Sequence, residues 1–262
     1  MDNPDDANDE KMPFTAHLEE LRFRLIRIIA AVGIGFVVSY TFKERLFKVI
    51  TKPLSSVLPP NSFMIYTGMP EAFFIYMEIA FFASLFFTSP YILYQIWKFI
   101  SPGLYYREKK YVLPFVFSST TLFAGGVLFG YFIVLPPAFK FFVSFSSDFL
   151  KPMFSFKEYL SLSLKFLLGF GISFQLPVFL FFMTKIGIVN PRMLSNQRRY
   201  AILIIFIVAA ILTPTPDPFN QVLMALPLML LYEVGIIVAR IAERKPSPAD
   251  NDGDEDKKEK EV

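Results

Sequence analysis

Six stretches of this chain are predominantly apolar over 13 to 26 residues, and their spacing decides the class of fold before any single residue matters. They run from Leu25 to Phe42, Ala72 to Trp97, Tyr111 to Val134, Tyr159 to Thr184, Tyr200 to Leu212 and Phe219 to Val238. A helix rises 1.5 Å per residue and the hydrocarbon core of a bilayer is ~30 Å thick, so roughly 20 residues cross it. Inside lipid every backbone N–H and C=O must find a partner within the protein, which makes each run a helix. Composition points the same way: 54% of the 262 residues are hydrophobic and 33 are Phe. That is more apolar surface than one globular core can hide from water. The expected fold is an all-α integral membrane protein with six transmembrane helices.

The punctuation between runs adds detail. Before the first span, PFTAHLEELRFRL repeats Phe14, Leu18, Leu21 and Leu25 at helical spacing, with Thr15 able to cap and Glu19 in the first turn. This lead-in is expected to be an interfacial helix running into the membrane helix. Lys43–Pro70 holds Pro53, Pro59, Pro60 and Pro70 and reads as an ordered cap containing short helices. Pro90 lies within the second span and is expected to kink it; Tyr91, Tyr94 and Trp97 form an interfacial belt at its end. Pro136 and Pro137 are expected to close the third span. The fifth run, at thirteen residues, reaches only ~20 Å, and the sixth is interrupted by Pro227 and Glu233. Two short helices joined by the tight TPTPDP turn imply a locally thin wall.

Lys and Arg are unevenly divided among the connections: twelve on the side of the N-terminus, 98–111 and 185–199, against seven on the other. The bias places both termini in the cytoplasm. An even number of spans is then required, although the first external connection is unusually basic. Residues 1–12 are expected to form a disordered acidic tail, 13–243 a six-helix membrane domain and 244–262 a disordered charged tail. The acidic start argues against a cleaved signal peptide, which needs a basic segment ahead of its apolar run.

Inventory excludes much chemistry. With no Cys and a single His, disulfides, thiolate catalysis and Cys/His metal sites are ruled out, and the HExxH, P-loop and GxSxG motifs are absent. No catalytic residue, metal or cofactor is expected. Two carboxylate positions remain at membrane entry points, Glu19–Glu20 beside Arg22 and Arg24, and Glu108 beside Arg107, Lys109 and Lys110. They read either as ordinary interfacial charge with intrahelical pairs such as Glu20–Arg24, or as a docking site for a cationic peptide through directional carboxylate–guanidinium bonds. Within the spans Glu78, Lys165, Gln175 and Glu233 need partners or water. Gln175, beside Pro177, has the character of a polar group that holds helices together.

Five strings in register narrow the choice: HLEELRFRL (17–25), YQIWKFI leading into SPGLYYREKK (101–110), GISFQLPV around Gln175, LTPTPDPFNQ (212–221) and ALPLMLLYEVGI. Together, from Pro13 to Glu243, they closely resemble the TatC family, the signal-peptide receptor of the twin-arginine protein translocase. The resemblance implies six helices with cytoplasmic termini in a glove-like concave bundle whose fifth and sixth helices are short. It implies residence in the cytoplasmic (inner) membrane and export of folded proteins driven by the proton-motive force. The implied partners are twin-arginine signal peptides, the single-span subunits TatA and TatB, and further copies of the chain; no nucleic-acid partner is expected. By position, Glu20 and Glu108 match the carboxylates that receive the two arginines, with Arg22 and Phe99 also linked to recognition. Pro53, Pro90, Asp217 and Glu233 match recurrent positions of structural or partner-related roles. The family often has Glu where this chain has Gln175, so polarity facing the groove, without ionisation, is expected to suffice there.

Two other classes stay open on the residues alone. One is a secondary transporter with a midplane site of Lys165, Gln175 and Glu233, weakened by the lack of an inverted repeat. The other is a passive membrane scaffold.

Overall fold

A computed structural model describes residues 14–57, 64–65, 68–100, 112–145, 154–213 and 217–243. Ten α-helices and two two-residue strands account for nearly all of them. Helix α1 (Phe14–Thr41) carries the lead-in and the first apolar run as one continuous 28-residue helix. It turns at Phe42 into α2 (Lys43–Ser55), whose axis lies 84° away. Strand β1 (Met64–Ile65) pairs in parallel with β2 (Phe154–Ser155), tying the segment after α2 to the start of the fourth span.

Helix α3 (Glu71–Ile100) runs unbroken through Pro90 for 30 residues. The third span comprises α4 (Val112–Phe129), a π-helical turn at Gly130–Val134 and α5 (Leu135–Val143). Pro136 and Pro137 therefore do not close this helix, contrary to the sequence reading. They have no N–H to give the α-helical ladder, and a wider turn directly before them takes up the mismatch, with Leu135 N–H bonding back to Gly130 C=O. The fourth span is α6 (Phe156–Ser173) followed by α7 (Leu176–Lys185), broken at Phe174–Gln175 where Pro177 begins the new helix.

A short α8 (Pro191–Asn196) precedes α9 (Arg198–Leu212). Fifteen residues make α9 ~22 Å long, short of the hydrocarbon thickness as expected. Helix α10 (Pro218–Ala242) is different: it continues through Pro227 and Glu233 for 25 residues, ~37 Å, so the expectation of a short sixth helix is corrected. The apolar run is broken at Arg240, but the helix carries on through it for a last turn to Ala242. Among the described residues four helical runs are long and apolar enough to cross a membrane (α3, α4–α5, α6–α7 and α10), and the bent α1–α2 pair makes a fifth.

Phe166 and Phe170 of α6 are fully buried and centre the core, with Val134, Leu135 and Phe139 on one side and Met224 of α10 among their neighbours. Close approach depends on missing side chains. A Cβ on Gly126 would lie 2.5 Å from the Phe170 carbonyl oxygen, so α4 and α6 meet backbone to backbone at that point. The α1–α3 seam is closed by Ser84, whose hydroxyl donates to Val32 C=O at 2.6 Å. Outward faces are apolar: Ile34, Phe117, Phe132, Ile211 and Ile241 are all largely exposed, as lipid-facing positions should be.

Candidate functional site

The lead-in half of α1 and the last turns of α3 are brought side by side, and four of their side chains form one polar cluster. Arg24 is 8% exposed, a degree of burial that a guanidinium sustains only when it is paired. Its Nε donates to Glu20 Oε1 at 2.9 Å, its Nη2 bonds the same oxygen, and its Nη1 donates to Gln95 Oε1 of α3 at 3.1 Å. Glu20 and Arg24 stand four residues apart on one helical face, so sequence alone allows the first contact. The second joins two spans 71 residues apart in the chain.

Glu20 spends only one oxygen on Arg24. Its Oε2 is buried without a hydrogen-bond partner among the described residues, and His17 Nδ1 lies 3.9 Å from it. A carboxylate oxygen left in this condition costs about 1–3 kcal/mol, and a guanidinium N–H is the donor that would relieve it best. His17 is itself packed flat on Phe99, with ring centroids 4.3 Å apart and planes 13° from parallel. Phe99 therefore walls the site beside Glu20. Arg22, two residues on, projects from the other side of α1 and is exposed, so the structure does not place it in the Glu20 cluster. Glu108 and the hinge 101–111 lie outside the described residues. The flanks of that hinge are anchored: Trp97 Nε1 donates to Ser119 Oγ at 2.8 Å and its ring stacks on Phe115.

The remaining candidates have separate engagements. Gln175, at the break between α6 and α7, donates from Nε2 to Ser119 C=O of α4 at 2.9 Å. Glu233 pairs with Arg198 at 2.8 Å, joining α10 to α9. Lys165 is exposed on α6, and Glu78 is exposed on α3. The trio that a midplane transport site would need is thus distributed over different contacts. Asp217 caps α10, accepting from Asn220 N at 2.7 Å and from its Nδ2 at 3.1 Å. Pro90 is exposed within α3.

Pro53 is buried inside α2, where it removes the N–H that would have bonded Val49 C=O four residues earlier. That carbonyl receives Tyr131 Oη at 2.6 Å instead. The next carbonyl, of Ile50, accepts from Tyr159 Oη. Two hydroxyls from the third and fourth spans so fasten α2 across the bundle end.

Arg24 as a bridge and Gln95 as its anchor are the parts of this cluster that sequence reasoning missed. The signal was faint: one Gln between the interfacial Tyr94 and Trp97, with nothing local to name its partner.

The family model for Sec-independent protein translocase protein (TatC) matches residues 16–227. Curated relatives of that name include one from Desulforapulum autotrophicum, 50% identical over 237 residues that span 90% of this chain and 87% of the relative. Another, from Magnetococcus marinus, is 45% identical with the same coverage. One from Aquifex aeolicus is 40% identical over 89% of this chain and 97% of its own. A crystal structure of the twin-arginine translocase receptor TatC superimposes with a TM-score of 0.79 at 40% identity, covering 87% of this chain and all of the other. With half of 237 aligned residues identical to those of one relative and its fold shared with that receptor, the chain belongs to the TatC family of Sec-independent protein translocase proteins.

Proposed function

We propose that the chain is the receptor subunit of a twin-arginine translocase, holding the two arginines of a signal peptide at its cytoplasmic face. Family membership supports the general role. The observation that carries the site is the free, buried Oε2 of Glu20 in a cluster rigidified by Arg24, Gln95 and the His17–Phe99 stack. Two arginines are expensive to desolvate, so a receptor should meet them at a membrane entry point and not at midplane. Glu108 is assigned the second arginine and Arg22 a place at the edge of the site. Gln175 presents polarity toward the groove, and Pro53, Pro90, Asp217 and Glu233 act structurally or toward partners.

On this reading α9 also spans the membrane, as the fifth of six spans in chain order, both termini are cytoplasmic, 13–243 is the membrane domain and 1–12 and 244–262 are soluble tails. The protein resides in the cytoplasmic membrane and does no catalysis of its own. It works with TatA- and TatB-type single-span subunits to export folded proteins on the proton-motive force.

The test is binding of a fluorescent twin-arginine peptide to the purified protein in detergent. Glu20→Gln and Glu108→Gln should each weaken binding by about tenfold or more, the loss expected for one charge-assisted pair of ~1.5–3 kcal/mol. A twin-lysine peptide should bind the wild type as poorly. Wild-type affinity in both variants would overturn the assignment.

A further inference from the structure

Helix α2 has a face that the receptor reading does not use. It leaves α1 at 84°; with the 28-residue α1 as the first span, on which this inference rests, α2 lies close to the plane of the surface at the end of that span. Its inward side is committed to packing: Ile50 and Leu54 are buried and Phe47 stacks on Phe156 at 4.7 Å. Rotation about its axis is fixed by the hydroxyls of Tyr131 and Tyr159, which bond the carbonyls of Val49 and Ile50.

On the outward side Arg45, Lys48 and Lys52 are all exposed. At 3.6 residues per turn they fall within an arc of about 60°, turned away from Ile50 and Leu54. Val49 and Phe42 flank this stripe and are 55% and 49% exposed. Lys43 is occupied elsewhere, lying 4.4 Å over the Tyr40 ring and 5.5 Å from that of Tyr76. The only carboxylate of α2 is Glu44, exposed at the border of the stripe next to Lys48, so cations outnumber it four to one along the helix. A surface-lying helix with one side docked, a cationic stripe and an apolar edge has the build of a membrane-surface element.

We propose that the exposed face of α2 is a binding surface for anionic phospholipid headgroups. Arg45, Lys48 and Lys52 meet the lipid phosphates, while Val49 and Phe42 rest on the acyl boundary below them. Charge complementarity selects this occupant, and the apolar edge selects a lipid over a free anion. The same contact accounts for the basic first connection, which the distribution of Lys and Arg along the chain otherwise leaves as an anomaly.

The test compares spin-labelled phosphatidylglycerol with spin-labelled phosphatidylcholine in vesicles holding the full-length protein, reading the motionally restricted fraction of each. The wild type should retain phosphatidylglycerol about fivefold more strongly, the effect of one well-placed cation at a membrane surface. In 0.5 M NaCl the preference should shrink, as screening requires. Arg45→Gln/Lys48→Gln/Lys52→Gln should remove most of it, while Arg192→Gln/Arg199→Gln, which alters exposed cations elsewhere, should not. Circular dichroism melts of each variant establish that the bundle is intact. Equal retention of the two lipids by the wild type, as an ordinary solvated charged face would give, overturns the proposal. So does an unchanged preference in a folded triple variant, or displacement of the lipid by millimolar inorganic phosphate, which would mark a free-anion site.

Discussion

Pro53 and Tyr131 should be thermodynamically coupled, and a double-mutant cycle can measure it. In α2 the Val49 carbonyl would ordinarily take the N–H of residue 53, which Pro53 lacks, and Tyr131 Oη stands in at 2.6 Å. Replacing Tyr131 by Phe deletes that donor and keeps the ring. A neutral hydrogen bond is worth about 0.5–1.5 kcal/mol net, and an abandoned buried carbonyl costs about 1–3 kcal/mol. Tyr131 is only partly buried, so water can partly replace the hydroxyl and the lower end applies: ~1–1.5 kcal/mol. In a Pro53→Ala background the new N–H can reach Val49 C=O along the helix. The same Tyr131→Phe change should then cost no more than ~0.5 kcal/mol, leaving a coupling of about 0.5–1 kcal/mol.

The assay is unfolding of the purified protein in mixed micelles with rising SDS, followed by far-ultraviolet circular dichroism. Tyr159→Phe supplies the control. Its acceptor, Ile50 C=O, stands four residues before Leu54, whose N–H is not removed by Pro53, so its cost should not depend on residue 53. Equal penalties for Tyr131→Phe with Pro or Ala at position 53 would refute the argument. The hydroxyl would then be stabilising the bundle by some route other than the vacated carbonyl.

Two further outcomes follow from the polar contacts between spans. Gln95→Leu removes the acceptor for Arg24 Nη1 and leaves a buried guanidinium short of a partner; twin-arginine peptide affinity should fall several-fold although position 95 need not touch the peptide, and Gln95→Glu should restore part of it. An unchanged peptide affinity in a folded Gln95→Leu protein would sink the bridging role. Gln175→Leu deletes the bond from Nε2 to Ser119 C=O and should destabilise the bundle by about 0.6–1.5 kcal/mol in the same SDS titration; no shift would mean that the amide contributes nothing to holding α4 against the α6–α7 break.

Hydropathy resolves what depends on one segment at a time. Bilayer thickness and the period of apolar residues locate the spans, and the shortness of α9 is visible from thirteen apolar residues. Proline is where the local rule fails. Pro136 and Pro137 look like a helix end, but the π turn at Gly130–Val134 carries the helix through them. Pro227 looks like an interruption of a short helix, yet α10 runs on to Ala242. At Pro136–Pro137 the compensation is that wider turn, which the prolines by themselves do not announce. The candidate site divides in the same way: Glu20–Arg24 is a pair at i, i+4 and can be read off the chain, whereas Arg24–Gln95 spans 71 residues and needs the fold.

The electrostatics of the cluster constrain how it can recognise a cation. Arg24 already neutralises Glu20, so the described part of the site carries little net charge to draw in a distant arginine. The 101–110 segment adds no long-range attraction either, since Glu108 stands there beside Arg107, Lys109 and Lys110. What the cluster offers is short-range and directional: an acceptor oxygen with no hydrogen donor among the described residues, beside a flat His17–Phe99 stack of a shape that suits a guanidinium plane. A bare carboxylate at this depth would be costly to keep in the empty receptor; one shared with a resident arginine is stable and still has a free oxygen. An incoming arginine then completes Glu20 without having to displace Arg24. Lysine, a compact point charge without the planar fork, gains less from such a site, which is the physical basis for expecting a twin-lysine peptide to bind poorly.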